Sequence, residues 1–298
     1  MSKETPTLTH EIQPALDLKD TCMEMARSLQ AGDLPAAEKR LALYHQCKAY
    51  MTQNASYINV QVGDNDLIGN KFNGHNLHLL LQAKGLRSFH LVTRKLSEDA
   101  TTALVRTDAA HNFAEELLFQ TEFLLADMVH LHLIHNTNFD IQYLPMLTKL
   151  KPMVLTLHDP FFLGGHCVHS GDCEKYKSFC ADCEHLQIQF ALKEDLTSYY
   201  FMKKSVAIQN SNLPVIVASQ WMEERAKSSP IFAHQKIYCL PFGIDLDVFC
   251  PRDSDTAKKA LGIPQGSLTI MFRADANPFK GLEVVLNALD KISSDRPI

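Results

Sequence analysis

A histidine and a carboxylate follow directly after a short apolar run in the middle of the chain. The run covers residues 153–157, and His158 and Asp159 come next. A histidine beside a carboxylate can bind or transfer a proton near neutral pH, so the pair is a candidate for catalysis. The alternative is structural, with His158 ending a strand and Asp159 beginning a turn.

Two cations lie near the start of a helix predicted late in the chain. Arg273 follows an apolar run at residues 268–272, and Lys280 and Gly281 precede the helix predicted for residues 281–292. The amino end of a helix favours anions, and arginine and lysine add charge-assisted hydrogen bonds. The pattern indicates a pyrophosphate site. A solvated basic pair on a surface loop is the alternative.

A polar loop with three glycines spans residues 63–74. Its candidate ligand-binding residues are Gly69, Asn70, Lys71 and Gly74. The glycines do not form the G-x-G-x-x-G fingerprint, and no acidic residue closes the next strand, so NAD binding is poorly supported. A plain surface loop is the alternative interpretation.

Half of the eight cysteines are clustered within residues 164–186: Cys167, Cys173, Cys180 and Cys183. The spacing of Cys180 and Cys183 is that of a zinc-ligand pair, and the other two could complete a closed tetrahedral site. Such a site would stabilise the loop and leave no open position for catalysis. Reduced thiols that pack together, and disulfides, are the two alternatives.

Short apolar runs alternate with longer amphipathic segments, which predicts strands separated by helices. The predicted strands cover residues 57–62, 88–92, 128–133, 153–157, 215–218, 236–240 and 268–272. Nearly continuous apolar strands are typical of a parallel, doubly wound α/β sheet, which binds ligands beyond the carboxyl ends of its strands. Within the third strand, His130 and His132 share one face. Two helices, at residues 15–31 and 34–51, are predicted to precede the sheet.

Composition narrows the class of protein. The chain has 298 residues, of which 46% are hydrophobic, and a net charge of -5. This is the composition of a globular protein, and it gives no general reason to expect a nucleic-acid partner. The first residues lack the pattern of a signal peptide, so a cytoplasmic location is expected. The expected organisation is a helical extension (1–56), a first α/β domain (57–240), then an interdomain crossing with an incomplete second domain (241–298).

Several stretches together resemble glycosyltransferase family four, a group of retaining enzymes with two Rossmann-like domains, the GT-B fold. The similar stretches are residues 127–132, 154–159, 164–167, 217–222, 240–249, 272–273 and 279–282. The first three are similar to a bacterial branch that makes surface polysaccharides. The resemblance runs from about Tyr57 to the last residue.

The resemblance implies transfer of a sugar from a nucleoside diphosphate sugar, GDP- or UDP-linked, to a glycan or lipid-linked acceptor. No catalytic metal is implied. Arg273 and Lys280 would neutralise the departing diphosphate and His158 would contact the donor sugar. The loop from Gly69 to Gly74 would border both substrates. The other expected contacts with donor or acceptor are His132, Gly243 and Gly281.

The chain departs from this family in two respects. The family's paired-glutamate motif would lie beyond Ile298, so a truncated, inactive or zinc-stabilised sugar-nucleotide-binding domain is the alternative. The two helices before Tyr57 are not part of the family core. They are expected to serve packing, acceptor selection or a partner contact. Peripheral attachment to the inner face of a membrane is a further expectation, although the basic face for it is weak.

Overall fold

A computed structural model describes residues 20–21, 23–25, 27–28, 31–51, 57–67, 74–108, 112–187, 190–272 and 280–293. The chain divides into two compact units, Met1–Phe242 and Gly243–Ile298. No helix in these described ranges is both long enough and apolar enough to cross a membrane.

The first unit is built on a seven-stranded sheet in which every pairing is parallel. The strands are β1 (Ile58–Asn65), β2 (Arg87–Arg94), β3 (Thr102–Leu104), β4 (Met128–His132), β5 (Met153–Leu157), β6 (Val215–Val217) and β7 (Ile237–Cys239). Their order across the sheet is β3-β2-β1-β4-β5-β6-β7. This is the order of a Rossmann-like fold, in which the sequential order of the strands reverses between β1 and β4 while all strands stay parallel. The predicted α/β class is confirmed.

Helices connect the strands of this unit. They are α1 (Leu34–Met51), α2 (His75–Ala83), α3 (Phe113–Glu116), α4 (Thr121–Leu125), α5 (Leu144–Leu150), α6 (Thr197–Gln209) and α7 (Gln220–Ser228). Each residue from Ile58 to Asp64 in β1 is buried, so both faces of the sheet are covered at its centre. The apolar side chains of the central strands, including Val60, Leu131 and Leu155, are fully buried and form the core.

The sequence predicted six of these strands to within a few residues and missed β3. That strand is three residues long and has a single hydrogen-bonded neighbour, β2. A segment this short carries too little apolar pattern to be recognised before its neighbour is known.

The helix before the sheet, α1, has the predicted bounds and is anchored to the junction between α4 and β4. Tyr44 is fully buried, and its hydroxyl donates to the Leu124 carbonyl at 3.0 Å. Lys48 donates to the Ala126 carbonyl at 2.6 Å and contacts Asp127 at 3.1 Å. Packing is therefore one role of this helix. The described residues between 20 and 28 are also helical, and Ala31, the last residue of the first predicted helix, lies in a turn; the other residues of that helix lie outside the described residues.

Hydrogen bonds also fix the charge of Asp127 at this junction. Its carboxylate accepts from the Ile58 N–H at 2.8 Å and from Lys48. Burial raises the pKa of Asp127, but these two hydrogen bonds, together with the charges of Lys48 and Lys151, outweigh burial and hold the pKa below its usual value. The carboxylate thus stays charged and ties α1, β1 and β4 together.

The second unit contains α8 (Ser254–Leu261) and α9 (Leu282–Leu289). Asp253 caps α8 by accepting from the Thr256 N–H at 2.8 Å, and Gly262 ends it in the left-handed conformation. The strand predicted for residues 268–272 is wrong, because this segment is irregular. A β-strand is defined by hydrogen bonds to a neighbouring strand, and no described residue of this unit pairs with residues 268–272.

Replacing Tyr44 should show how far the sheet depends on α1. Tyr44→Ala removes a buried ring and a hydrogen bond, so we expect the free energy of unfolding to fall by about 3–5 kcal/mol. Leu43→Ala is the matched control, because its side chain is 39% exposed and should cost little. Urea unfolding followed by circular dichroism measures both. Equal losses in the two variants would contradict the anchoring role.

Candidate functional site

The candidate site lies where the sheet order reverses, at the carboxyl ends of β1, β4 and β5. In open α/β sheets the crevice at this point is the usual ligand position. Here Gln61 of β1, His132 at the end of β4, and His158 just after β5 meet in one row of hydrogen bonds. Three strands far apart in sequence thus supply one polar cluster.

The row has a defined direction. The Gln61 side chain donates its amide N–H to Asn59, so its Oε1 is free to accept from His132 Nε2 at 2.8 Å. His132 Nδ1 then lacks a proton and accepts from His158 Nε2 at 3.0 Å. The neutral His158 ring keeps its lone pair on Nδ1. The site can therefore accept a hydrogen bond from a ligand hydroxyl through His158.

Burial keeps these imidazoles uncharged. Desolvation lowers the pKa of His158 to about 4 and that of His132 well below 6.5. His130, whose Nε2 lies 2.6 Å from Thr156 Oγ1, has a pKa of about 3 for the same reason. At neutral pH the cluster consists of neutral hydrogen-bonding groups. A positive charge on one imidazole would also repel a positive charge on its neighbour, which lowers the pKa values of His130 and His132 further.

Asp159 supports the loop after β5. Its Oδ1 accepts from the Phe161 N–H at 2.9 Å, which caps a 3₁₀ turn at Pro160–Leu163. Its Oδ2 lies 3.1 Å from His135 Nε2, a residue on the loop after β4. The carboxylate therefore joins two loops at the edge of the site. On the other side of His158, the ring of Phe242 stacks on it at 5.3 Å.

Gly74 brings the backbone at the start of α2 against the site. It has a φ of 103°, and a Cβ there would lie 3.0 Å from the His132 ring and 3.1 Å from Gln61. Both the conformation and the lack of space require glycine. Gly69, Asn70 and Lys71, the other residues expected in this loop, lie outside the described residues.

The remaining expected site residues belong to the second unit. Lys280 lies next to Gly281, the residue before α9, which has a φ of 75°. Gly243 is exposed at the start of the unit, and Arg273 lies outside the described residues. The proposed pairing of Arg273 with Lys280 stays a prediction.

The cysteine-rich loop packs against the amino end of α6. Cys167, Cys173, Cys180 and Cys183 are free thiols, and the first three line one cavity of about 20 Å³. Burial, followed by the neighbouring cysteines, raises the pKa of Cys167 to about 11. Among the described residues, no group of three or more cysteine, histidine or acidic side chains is placed to hold a metal ion. Zinc binding by these thiols stays a prediction.

Lys204 of α6 binds the backbone at the start of this loop. The side chain is buried, and Nζ donates to the carbonyls of Phe161, Gly164 and Gly165 at 2.6–2.9 Å. It also lies 3.6 Å from the centre of the Phe161 ring. Burial lowers the pKa of Lys204 to about 7. The amine thus fixes the backbone between the β5 loop and the cysteines.

Sequence reasoning missed two residues of this site, Gln61 and Lys204. Gln61 had a detectable sequence signal, because Gln61 and Asn59 are polar side chains at alternate positions of a buried strand and need partners. Lys204 had none, because a lysine on an amphipathic helix is normally exposed. Its burial depends on the carbonyls that the β5 loop presents.

Comparison with known proteins finds similarity over a short segment of the chain. A stretch of 55 residues is 34% identical to D-inositol 3-phosphate glycosyltransferase from Nocardioides sp. (strain JS614). This stretch covers 18% of the chain and 12% of that relative's length. No protein-family model matches the chain.

The close approach of Gly74 to His132 can be tested with a pair of glycines. Gly74→Ala should displace the His132 ring and lower the free energy of unfolding by about 1–3 kcal/mol, from strain and overlap. Gly85→Ala is the matched control. It introduces the same backbone strain, because the φ of Gly85 is 78°, but its new Cβ has no atom within 4 Å. Imidazole NMR signals of His132 and urea unfolding measure the effects. An unshifted His132 signal in Gly74→Ala would rule out the contact.

Buried histidines should make the fold sensitive to acid. In the unfolded chain they bind protons near pH 6.5, whereas in the folded chain His90 and His130 do so only near pH 3. The unfolded state therefore binds more protons below pH 6.5, and stability falls as the pH falls. His90→Leu removes one group that binds a proton only in the unfolded state. Between pH 7 and pH 5 its free energy of unfolding should therefore fall by about 2 kcal/mol less than that of the parent.

Urea unfolding at several pH values checks this prediction, with the exposed His234→Gln as the control. The control should keep the parent's dependence on pH. If His90→Leu keeps it too, the buried histidines do not set the acid sensitivity.

Proposed function

We propose that this protein is a glycosyltransferase that moves a sugar from a nucleoside diphosphate sugar to an acceptor hydroxyl. The observation that carries the proposal is the row of Gln61, His132 and His158 at the point where the sheet order reverses. The 55-residue similarity to a glycosyltransferase supports the same class of reaction. The fold alone would not, because Rossmann-like sheets host many reactions.

The protonation of the row suits a sugar ligand. A sugar presents hydroxyl groups, which need neutral acceptors and donors at fixed positions. His158 offers an acceptor at Nδ1, and His132 holds the orientation of its ring. Because burial keeps His158 neutral at physiological pH, it does not repel the positive charge that develops on a sugar ring during transfer. We assign His158 to contact with the donor sugar.

The departing diphosphate needs positive charge. Lys280 precedes a helix whose amino end also favours anions, and Arg273 comes from the sequence pattern. We assign both to the leaving group. Losing one such donor typically costs about 3 kcal/mol of transition-state stabilisation, or about 100-fold in rate.

The finer features of the proposal come from the family resemblance. They are a GT-B arrangement, retention at the anomeric carbon, a GDP- or UDP-linked donor, a hexose as the transferred sugar, and a role in surface polysaccharide synthesis. No metal is assigned to the chemistry. A protein that binds sugar nucleotides without turnover is the competing candidate.

A panel of UDP-, GDP- and ADP-sugars tests the proposal on the full chain. Calorimetry measures binding, and release of nucleoside diphosphate measures hydrolysis and transfer. Lys280→Ala should lower turnover about 100-fold. Lys291→Ala, an exposed lysine of the same unit, should leave it unchanged. His158→Gln should lower turnover as well, with nucleotide binding retained.

The outcomes separate the candidates. Binding without turnover, unaffected by His158→Gln, would favour the non-catalytic sugar-nucleotide-binding domain. If no sugar nucleotide binds or reacts, the glycosyltransferase proposal fails.

A further inference from the structure

The face of the sheet beneath α2 is polar at its centre. The strand register places His90 of β2, Gln61 of β1 and His130 of β4 level with one another, so the three side chains share one face. All three are buried. The opposite face carries the apolar core, which includes Val60 and Leu131. A helix that covers the polar face therefore meets hydrogen-bonding groups rather than an apolar surface.

The helix on this face, α2, turns its polar side chains inward. Its two buried residues are both histidines, His75 and His78, whereas Leu79 and Leu80 are 41% and 55% exposed. An amphipathic helix normally packs its apolar stripe against the core. Because α2 leaves apolar side chains in water, its departure from the sheet would cost little hydrophobic stabilisation.

Hydrogen bonds hold α2 on the sheet. The Nδ1 atom of His78 lies 3.0 Å from Ser88 Oγ, and its Nε2 lies 2.9 Å from Asp99 Oδ2. One turn further along, Gln82 donates to the hydroxyl of Thr101 at 2.7 Å. Since water can replace each of these partners, the bonds stabilise the docked helix only modestly.

His90 lies at the centre of the contact between α2 and the sheet. Its ring centre is 5.9 Å from that of His75 and 6.0 Å from that of His78. The side chain is fully buried, and neither ring nitrogen has a hydrogen-bond partner among the described residues. A buried polar group without a partner destabilises the state that buries it. Water would supply partners once α2 moved away.

The groups around His90 determine its response to acid. The titratable and charged residues that act on it are His75 and His78 on α2, Asp66 after β1, Asp99 before β3, and His132 on β4. Burial and the histidines of α2 outweigh the carboxylates, and they lower the pKa of His90 from 6.5 to about 3. Between these pH values, a state in which His90 faces water binds one more proton than the docked state. Acid therefore favours the open state.

We propose that α2 is an acid-sensitive lid that leaves the sheet while the rest of the first unit stays folded. The residue before the helix, Gly74, packs closely against the His132 ring and Gln61, so departure of α2 uncovers one side of the row in the candidate site. Between pH 7 and pH 5, protonation of His90 alone should raise the fraction of open molecules about 25-fold. The inference does not depend on the proposed function.

Hydrogen exchange of the native protein, followed by mass spectrometry, tests the proposal. Amide protection in α2 is compared with that in α7, a helix of the same length that buries Met222 and Ala226. Measurements are made at pH 7 and pH 5, corrected for intrinsic exchange rates, with urea added below the unfolding transition. At pH 5, protection of α2 should be about 25-fold lower and nearly insensitive to urea, because local opening exposes little surface. Exchange in α7 should respond steeply to urea.

Two buried histidines provide a matched pair of variants. His90→Leu removes the group that takes up the proton, so most of the loss of protection in α2 should disappear. His130→Leu removes a histidine with a similar pKa of about 3 on the same face, whose contacts are with Thr156 and His132. This second variant should leave the acid-induced opening of α2 unchanged.

Two results would overturn the inference. One is the same urea dependence of exchange in α2 and α7 at pH 5, since α2 would then open only when the whole unit unfolds. The other is an undiminished loss of α2 protection in His90→Leu. The first comparison uses the parent chain, so it decides the question even where a variant does not fold.

Discussion

The parallel pairing of β1 with β4 is the constraint on which the candidate site depends. It brings Gln61 and His132 side by side, although 71 positions separate them in the sequence. The strand order reverses there, and in open α/β sheets ligands bind at this point, outside the carboxyl ends of the strands. Pairing of β4 with β5 then adds His158. Displacing β4 would separate all three side chains at once.

Stability and the site make opposite demands on these side chains. Burying His130, His132 and His158 forces them to stay neutral, which costs stability whenever the unfolded chain can take up protons. Hydrogen bonds to Gln61 and between the rings fix the tautomers and orientations of His132 and His158, as the proposed binding of a sugar would require. The surrounding fold offsets this cost through apolar strands that are fully buried at the centre of the sheet.

Most of the sheet could be predicted because its strands are short apolar runs between amphipathic helices. β3 escaped prediction, and the strand at residues 268–272 was wrong, for one shared reason: pairing with a neighbour decides whether a marginal segment becomes a strand. The sequence also pointed to His158 and Gly74. Their contacts with His132 could not be inferred, because they depend on the register between strands.

The amino-acid sequence by itself determined the α/β class, the location of most elements and the positions at which polar groups follow strands. These features follow from local patterns of apolar residues and turn formers. Only the tertiary structure decided the hydrogen-bonded row, the buried amine of Lys204 under the cysteine-rich loop, and the exposure of the apolar face of α6. Each depends on surfaces brought together from distant segments, which local periodicity does not encode.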